Sequence, residues 1–126
     1  MTSSLLQRAQ LQPYQQRMIQ MASTIPSMGL FMEPGLGKTV TALTIIAEQF
    51  KGKTLVVAPK RVAENVWTDE VEKWTHLQKL KLSKVLGTPS QRLSALKAKC
   101  DVYIVNLANL VWLLQTGATF ENLVID

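Results

Sequence analysis

Met32-Glu33-Pro34-Gly35-Leu36-Gly37-Lys38-Thr39 decides how the rest of the chain reads. The apolar run before it, residues 29–33, predicts a buried strand. Residues 38–50 after it predict a helix with Val40, Leu43, Ile46, Ala47 and Phe50 on one face. Strand, glycine-rich loop and helix in that order form the context a phosphate-binding loop requires. The glycines let the backbone turn tightly, so that its N–H groups point inward at phosphate oxygens. Lys38 then falls at the β- and γ-phosphates as a point charge, and the Thr39 hydroxyl falls on Mg²⁺. The start of the helix adds the positive end of its dipole. The general pattern G-x-x-x-x-G-K-[ST] has glycine where this chain has Met32, but the core Gly35-x-Gly37-Lys38-Thr39 is intact. The competing reading is a glycine-rich turn that precedes a lysine. The register of strand, loop and helix favours the phosphate loop.

Outward from that loop, the chain keeps alternating. Pro13 opens a helix through about Ala22, because proline suits a first helical position, and Ile25-Pro26-Ser27 breaks it. Residues 54–58 are a β-branched, wholly apolar strand. Residues 62–74 predict a helix with Val62, Val66, Val71 and Trp74 inward. Residues 80–86 predict a strand. Thr88-Pro89-Ser90-Gln91 is a capping box that starts a helix to about Lys99. Residues 101–105 predict a further strand, and Asn106 caps a helix whose Leu107, Leu110, Val111 and Leu114 form one stripe. Gly117 ends that helix, and residues 122–125 are the last predicted strand. Such alternation means a parallel sheet with helices on both faces, an α/β fold whose ligands bind at the carboxyl ends of the strands.

The 126 residues suit one domain, with residues 1–10 a polar, flexible start and residues 11–126 the folded part. At 47% apolar and 18% charged the composition is that of a globular chain. No apolar run is long enough to span a bilayer and the start has no signal-peptide core, so no membrane partner is expected. Lone Cys100 reads as a small buried residue in a reducing, cytoplasmic setting. The net charge of +5 is uneven: residues 1–50, 51–100 and 101–126 carry about +1, +7 and −3. The basic middle is either a footprint for a polyanion or an ordinary solvated surface. Lys60 and Arg61 follow a strand directly, at the edge where phosphate contact is possible.

Gly35–Thr39 resembles motif I of the superfamily 2 helicases, which often lack the first glycine. Leu11-Gln12-Pro13-Tyr14-Gln15 resembles the motif that precedes it in Snf2-type proteins. Val57-Ala58-Pro59-Lys60-Arg61 with Trp67 and residues 70–74 resembles motif Ia, residues 101–109 the region of motif Ib, and residues 120–126 the run into motif II. The resemblance covers nearly the whole chain from residue 11 and is closest to Snf2-like helicases of phages and prophages. It implies a P-loop, RecA-like domain that binds ATP and Mg²⁺. Pro34, Gly35, Leu36, Gly37, Lys38 and Thr39 would hold the phosphates, Gln15 the adenine edge, and Asp126 the metal together with Thr39. Lys60, Arg61 and Asn109 would lie on non-specific DNA. It implies a bacterial or phage-infected cytoplasm.

The same resemblance places a catalytic Glu, a further strand and a second RecA-like domain with an arginine finger after Asp126. It thus implies an ATP-binding portion truncated in motif II, inactive in ATP hydrolysis by itself, with an empty sheet position between residues 29–33 and residues 122–125. The alternatives are a non-catalytic nucleotide- and DNA-binding module and a small-molecule kinase; no arginine-rich lid supports the kinase. Trp67, Trp74 and Trp112 have faces able to stack on bases, but their spacing among valines and leucines assigns them to the core. His76, Glu33 and Glu64 have no partners in the sequence that suggest metal binding or acid catalysis.

Overall fold

The computed structural model describes residues 5–22 and 37–126. Its elements are α1 (Pro13–Ala22), α2 (Lys38–Gln49), β1 (Thr54–Ala58), α3 (Trp67–Lys73), β2 (Leu82–Lys84), α4 (Pro89–Lys97), β3 (Val102–Asn106), α5 (Leu107–Gln115) and β4 (Asn122–Ile125). The four strands form one parallel sheet in the order β2-β3-β1-β4. The expected α/β architecture is therefore present. The strand expected at residues 29–33 lies outside the described residues, and so does the gap expected beside it.

β1 is buried along its whole length and is flanked on both edges, Thr54 beside Val102 and Asn122. Its side chains alternate between two cores. Val56 and Ala58 join Val102 and Ile104 against Leu43, Ile46, Trp67 and Leu77, under α1, α2 and α3. Leu55 and Val57 join Tyr103, Val105 and Val85 against Leu113, under α4 and α5. Burying each such aliphatic side chain stabilises the fold by about 1.5–3 kcal/mol.

α2 lies deeper than an amphipathic stripe predicts. Val40 through Ile46 are all buried, whereas Ala47 is exposed. The reason is packing on two sides, against α1 and α3 as well as the sheet. The expected inward face of the next helix holds at Trp74, which is buried, and at Val62 and Val71, which pack against the same core, but it is corrected at Val66. Residues Val62–Val66 form a π-helical turn before α3, and Ala63 and Trp67 are buried while Val66 is 40% exposed. A π turn adds a residue per turn, so the faces that follow rotate away from a 3.6-residue period. Lys84 Nζ donates to Glu64 O within that turn at 2.8 Å.

β2 is shorter than residues 80–86, yet Asp101 N to Lys81 O (2.8 Å) and Val85 N to Ile104 O (2.7 Å) extend the pairing beyond it. The capping box of α4 forms as expected, with Gln91 N donating to Thr88 Oγ1 at 3.2 Å and Thr88 N to Gln91 Oε1 at 2.8 Å. α5 turns a different face inward. Leu113 is fully buried, while Leu107, Val111 and Leu114 are exposed. Six of its nine residues are large and apolar, so periodicity alone does not select a face. Leu123 and Ile125, in register with Leu55 and Val57, are exposed on the same side of the sheet. Ahead of α1, Leu6 and Arg8 contact the folded part. Leu6 N donates to Lys73 O (2.7 Å), Thr75 N donates to Leu6 O (2.8 Å), and Arg8 pairs with Glu48 at 2.5 Å.

His76 joins these layers. The Thr44 hydroxyl donates to Val40 O (2.8 Å), so it accepts from His76 Nε2–H at 2.7 Å. His76 Nδ1 is buried with no partner among the described residues, and the ring meets Trp74 edge-on. Burial lowers the imidazole pKa from its usual 6.5; Arg8 adds to this and Glu48 opposes it. The unfolded chain therefore takes up this proton at higher pH than the folded one. Stability from this group is complete above pH 6.5 and falls as the pH drops below it. Urea midpoints at pH 7.5, 6.5 and 5.5 should decline, and His76→Gln should flatten the decline.

Candidate functional site

The loop–helix junction is built around Gly37. Its φ of 70° is left-handed, and it caps α2. The Gly37 carbonyl accepts from Thr41 N (3.2 Å), Thr41 Oγ1 (2.9 Å) and Gln15 Nε2 (3.1 Å). Gln15 is buried, and its Oε1 accepts from Gln12 N at 2.7 Å. Its amide thus links the start of α1 to the start of α2. A Cβ on Gly37 would stand 2.0 Å from Gln15 Nε2. Lys38 and Thr39 occupy the first turn of α2 and are partly exposed. Pro34, Gly35 and Leu36 lie outside the described residues.

β4 brings the other half of the site. Asp126 N donates to Val57 O at 2.8 Å, which carries the β1–β4 pairing to its carboxyl end. There the Asp126 carboxylate meets Lys38, 88 residues away in sequence: Lys38 Nζ pairs with Oδ1, and Trp67 Nε1 donates to Oδ2 at 3.1 Å. The aspartate side chain is only 6% exposed and that of the lysine 24%. Low exposure strengthens such a charge-assisted contact and makes either partner costly to leave alone. Lys38, Ala42, Trp67, Val124, Ile125 and Asp126 line a small cleft.

Lys60 and Arg61 are exposed just beyond the carboxyl end of β1. Asn109, in the first turn of α5, sits in a network. Its Oδ1 accepts from Arg92 Nη1 (2.7 Å) and its Nδ2 donates to Asn106 Oδ1 (2.7 Å). Asn106 stands at the helix start but makes no side-chain cap to a backbone N–H. The Arg92 guanidinium lies 4.5 Å from the centre of the Trp112 ring. In the sequence Arg92 is only one charge of the basic block. Its spacing from Gly87, whose carbonyl it reaches at 3.3 Å, is the available clue to its position.

The basic block itself is divided by the topology. Lys51 and Lys53 precede β1, Lys79 and Lys81 precede β2, and Lys97 and Lys99 precede β3. They therefore stand at the amino ends of the strands, opposite Lys38 and Asp126. Among the described residues, no three of His, Cys, Asp and Glu gather as a metal cluster. No described helix is long and apolar enough to cross a membrane.

The family model of the SNF2-related domain matches residues 14–122. The chain is also 36% identical over 109 residues to protein p41 of Acyrthosiphon pisum secondary endosymbiont phage 1. That alignment covers 82% of this chain and 24% of p41, so the chain spans about a quarter of the length of the relative it matches.

Gly37→Ala should cost about 1–3 kcal/mol, the usual range for a side chain forced into the left-handed region, and should also push Gln15 aside. In a Gln15→Ala background the steric part should vanish and the backbone part remain. Urea denaturation of the four combinations measures both.

Proposed function

Because the chain belongs to the SNF2-related domain family, we propose that it carries part of the ATP·Mg²⁺ site of a Snf2-like DNA translocase. The observation that supports this most is the meeting of Lys38 and Asp126 at the carboxyl edge of the sheet. A lysine at a helix start suits phosphate, and a carboxylate within its reach suits the divalent cation that accompanies phosphate. The residues fit the group: the positive charge now beside Asp126 is the charge a bound Mg²⁺ would supply.

Each residue then has a role. Lys38 would move its ammonium from Asp126 to the β- and γ-phosphates. Thr39 and Asp126 would hold Mg²⁺, and the backbone N–H groups of the loop Pro34, Gly35, Leu36 and Gly37 would serve the phosphates. Among the described residues, Gln15 uses one amide hydrogen on Gly37 and one lone pair on Gln12, and its second hydrogen and lone pair would serve the adenine edge. Bound ATP supplies the phosphoanhydride whose hydrolysis drives movement in such motors. Lys60, Arg61 and Asn109 face the DNA backbone, with Asn109 held by Arg92. A second RecA-like domain and a bacterial or phage-infected cytoplasm belong to the same proposal.

Lys38→Ala should weaken binding of a fluorescent ATP analogue about ten- to hundredfold, the worth of one charged hydrogen bond, with helix content by circular dichroism preserved. Unchanged affinity would refute the site. For DNA, Lys60→Ala with Arg61→Ala should weaken binding alike for all sequences. The salt slope should fall by about one unit for each phosphate that is no longer neutralised. A double variant with the wild-type salt slope would remove this pair from the interface.

A further inference from the structure

We infer that Trp67 is a positioning residue for Asp126, holding the carboxylate in place when Lys38 leaves it. The inference rests on the ATP·Mg²⁺ reading of Lys38 and Asp126. Trp67 is 1% exposed, so its indole N–H requires an acceptor inside the protein. Trp74, also buried, finds one locally, donating to Glu70 Oε2 at 2.9 Å four residues back. Trp67 instead reaches across 59 residues to Asp126 Oδ2. The two oxygens of Asp126 are therefore divided: Oδ1 on Lys38, which faces the site, and Oδ2 on Trp67.

The chain departs from regular helix to achieve this. The π turn at Val62–Val66 immediately precedes Trp67, and it turns Trp67 inward and Val66 outward. Such turns are frequent at functional sites. Lys84 Nζ on Glu64 O anchors the turn from β2.

The chemistry of the indole suits the task. It donates one hydrogen bond, accepts none and carries no charge. It can fix the plane of the carboxylate without neutralising it and without competing for the cation. When Lys38 moves to phosphate, Oδ1 loses its partner, and the Trp67 bond to Oδ2 keeps Oδ1 directed into the site. Outer partners of metal ligands act in this way, and their loss typically lowers metal affinity about 10–100-fold.

Two measurements test the inference. In the first, the chain is labelled with ¹⁵N-tryptophan, and Asp126→Asn should move the indole resonance of Trp67 while leaving that of Trp112 in place. An unmoved Trp67 resonance overturns the inference, and this arm does not require any Trp67 variant to fold. In the second, a fluorescent ATP analogue is titrated with and without MgCl₂. Trp67→Phe should raise the Mg²⁺ concentration for half-maximal binding about tenfold, with Mg²⁺-free affinity within about twofold. In an Asp126→Asn background the same substitution should add nothing. Equal losses with and without Mg²⁺, or losses that add to those of Asp126→Asn, would show a merely structural tryptophan and overturn the inference. Failure of the ATP reading is separable: wild type and Lys38→Ala would then bind Mg²⁺·ATP alike. Failure of the Trp67 inference alone leaves a Lys38-dependent affinity that Trp67→Phe does not change.

Discussion

β1 shares both of its edges, with β3 on one side and β4 on the other, and all three run the same way. Parallel pairing sends the carboxyl ends of the strands to a common rim, and the chemical residues follow from that. Lys60 and Arg61 leave the end of β1, Asn106 and Asn109 the end of β3, and Asp126 the end of β4. α2 starts at this rim too, since its first residue, Lys38, pairs with Asp126. Had β4 paired in the opposite sense, Asp126 would stand at the far end of the sheet and Lys38 would have no carboxylate within reach.

Much of this is legible in the sequence. β1 is legible because Thr54 and four apolar residues, three of the five β-branched, are bounded by Lys53 and Pro59. The start of α4 is legible because Thr88, Pro89 and Gln91 each favour it for a separate local reason. The orientation of helices is not. In α5 the apolar residues surround the axis, and only the sheet decides that Leu113 faces inward. Before α3 spacing assigns both Val66 and Trp67 to the core, and the π turn keeps only Trp67 there. Spacing does not separate such neighbours, because the choice depends on what packs opposite. The roles of Trp67, Arg92 and Gln15 as donors are hidden for a related reason. Their partners lie 59, 17 and 22 residues away.

The described site is held by amides, an indole and a guanidinium more than by ionised pairs. Gln15 joins α1 to Gly37, Trp67 joins the π turn to Asp126, and Arg92 joins α4 to Asn109. These donors give geometry without cancelling charge. The one pair of opposite charges at the rim, among the described residues placed in the site, is Lys38 with Asp126. Its two members are also the ones that the proposed magnesium nucleotide would draw apart.

The strand order has a consequence during synthesis. β1 leaves the ribosome before either of its neighbours, and β3 follows only after residues 59–101 have been made. At about 5–20 residues per second that interval lasts several seconds. Throughout it the most apolar segment of the sheet has no strand beside it. α2 and the segment through Trp67 emerge on either side of β1 and can shelter one of its faces, through Val56 and Ala58. Leu55 and Val57 must wait for Tyr103, Val105 and Leu113. The nascent chain therefore presents a one-sided apolar ribbon to the cell's chaperones until β3 and α5 arrive.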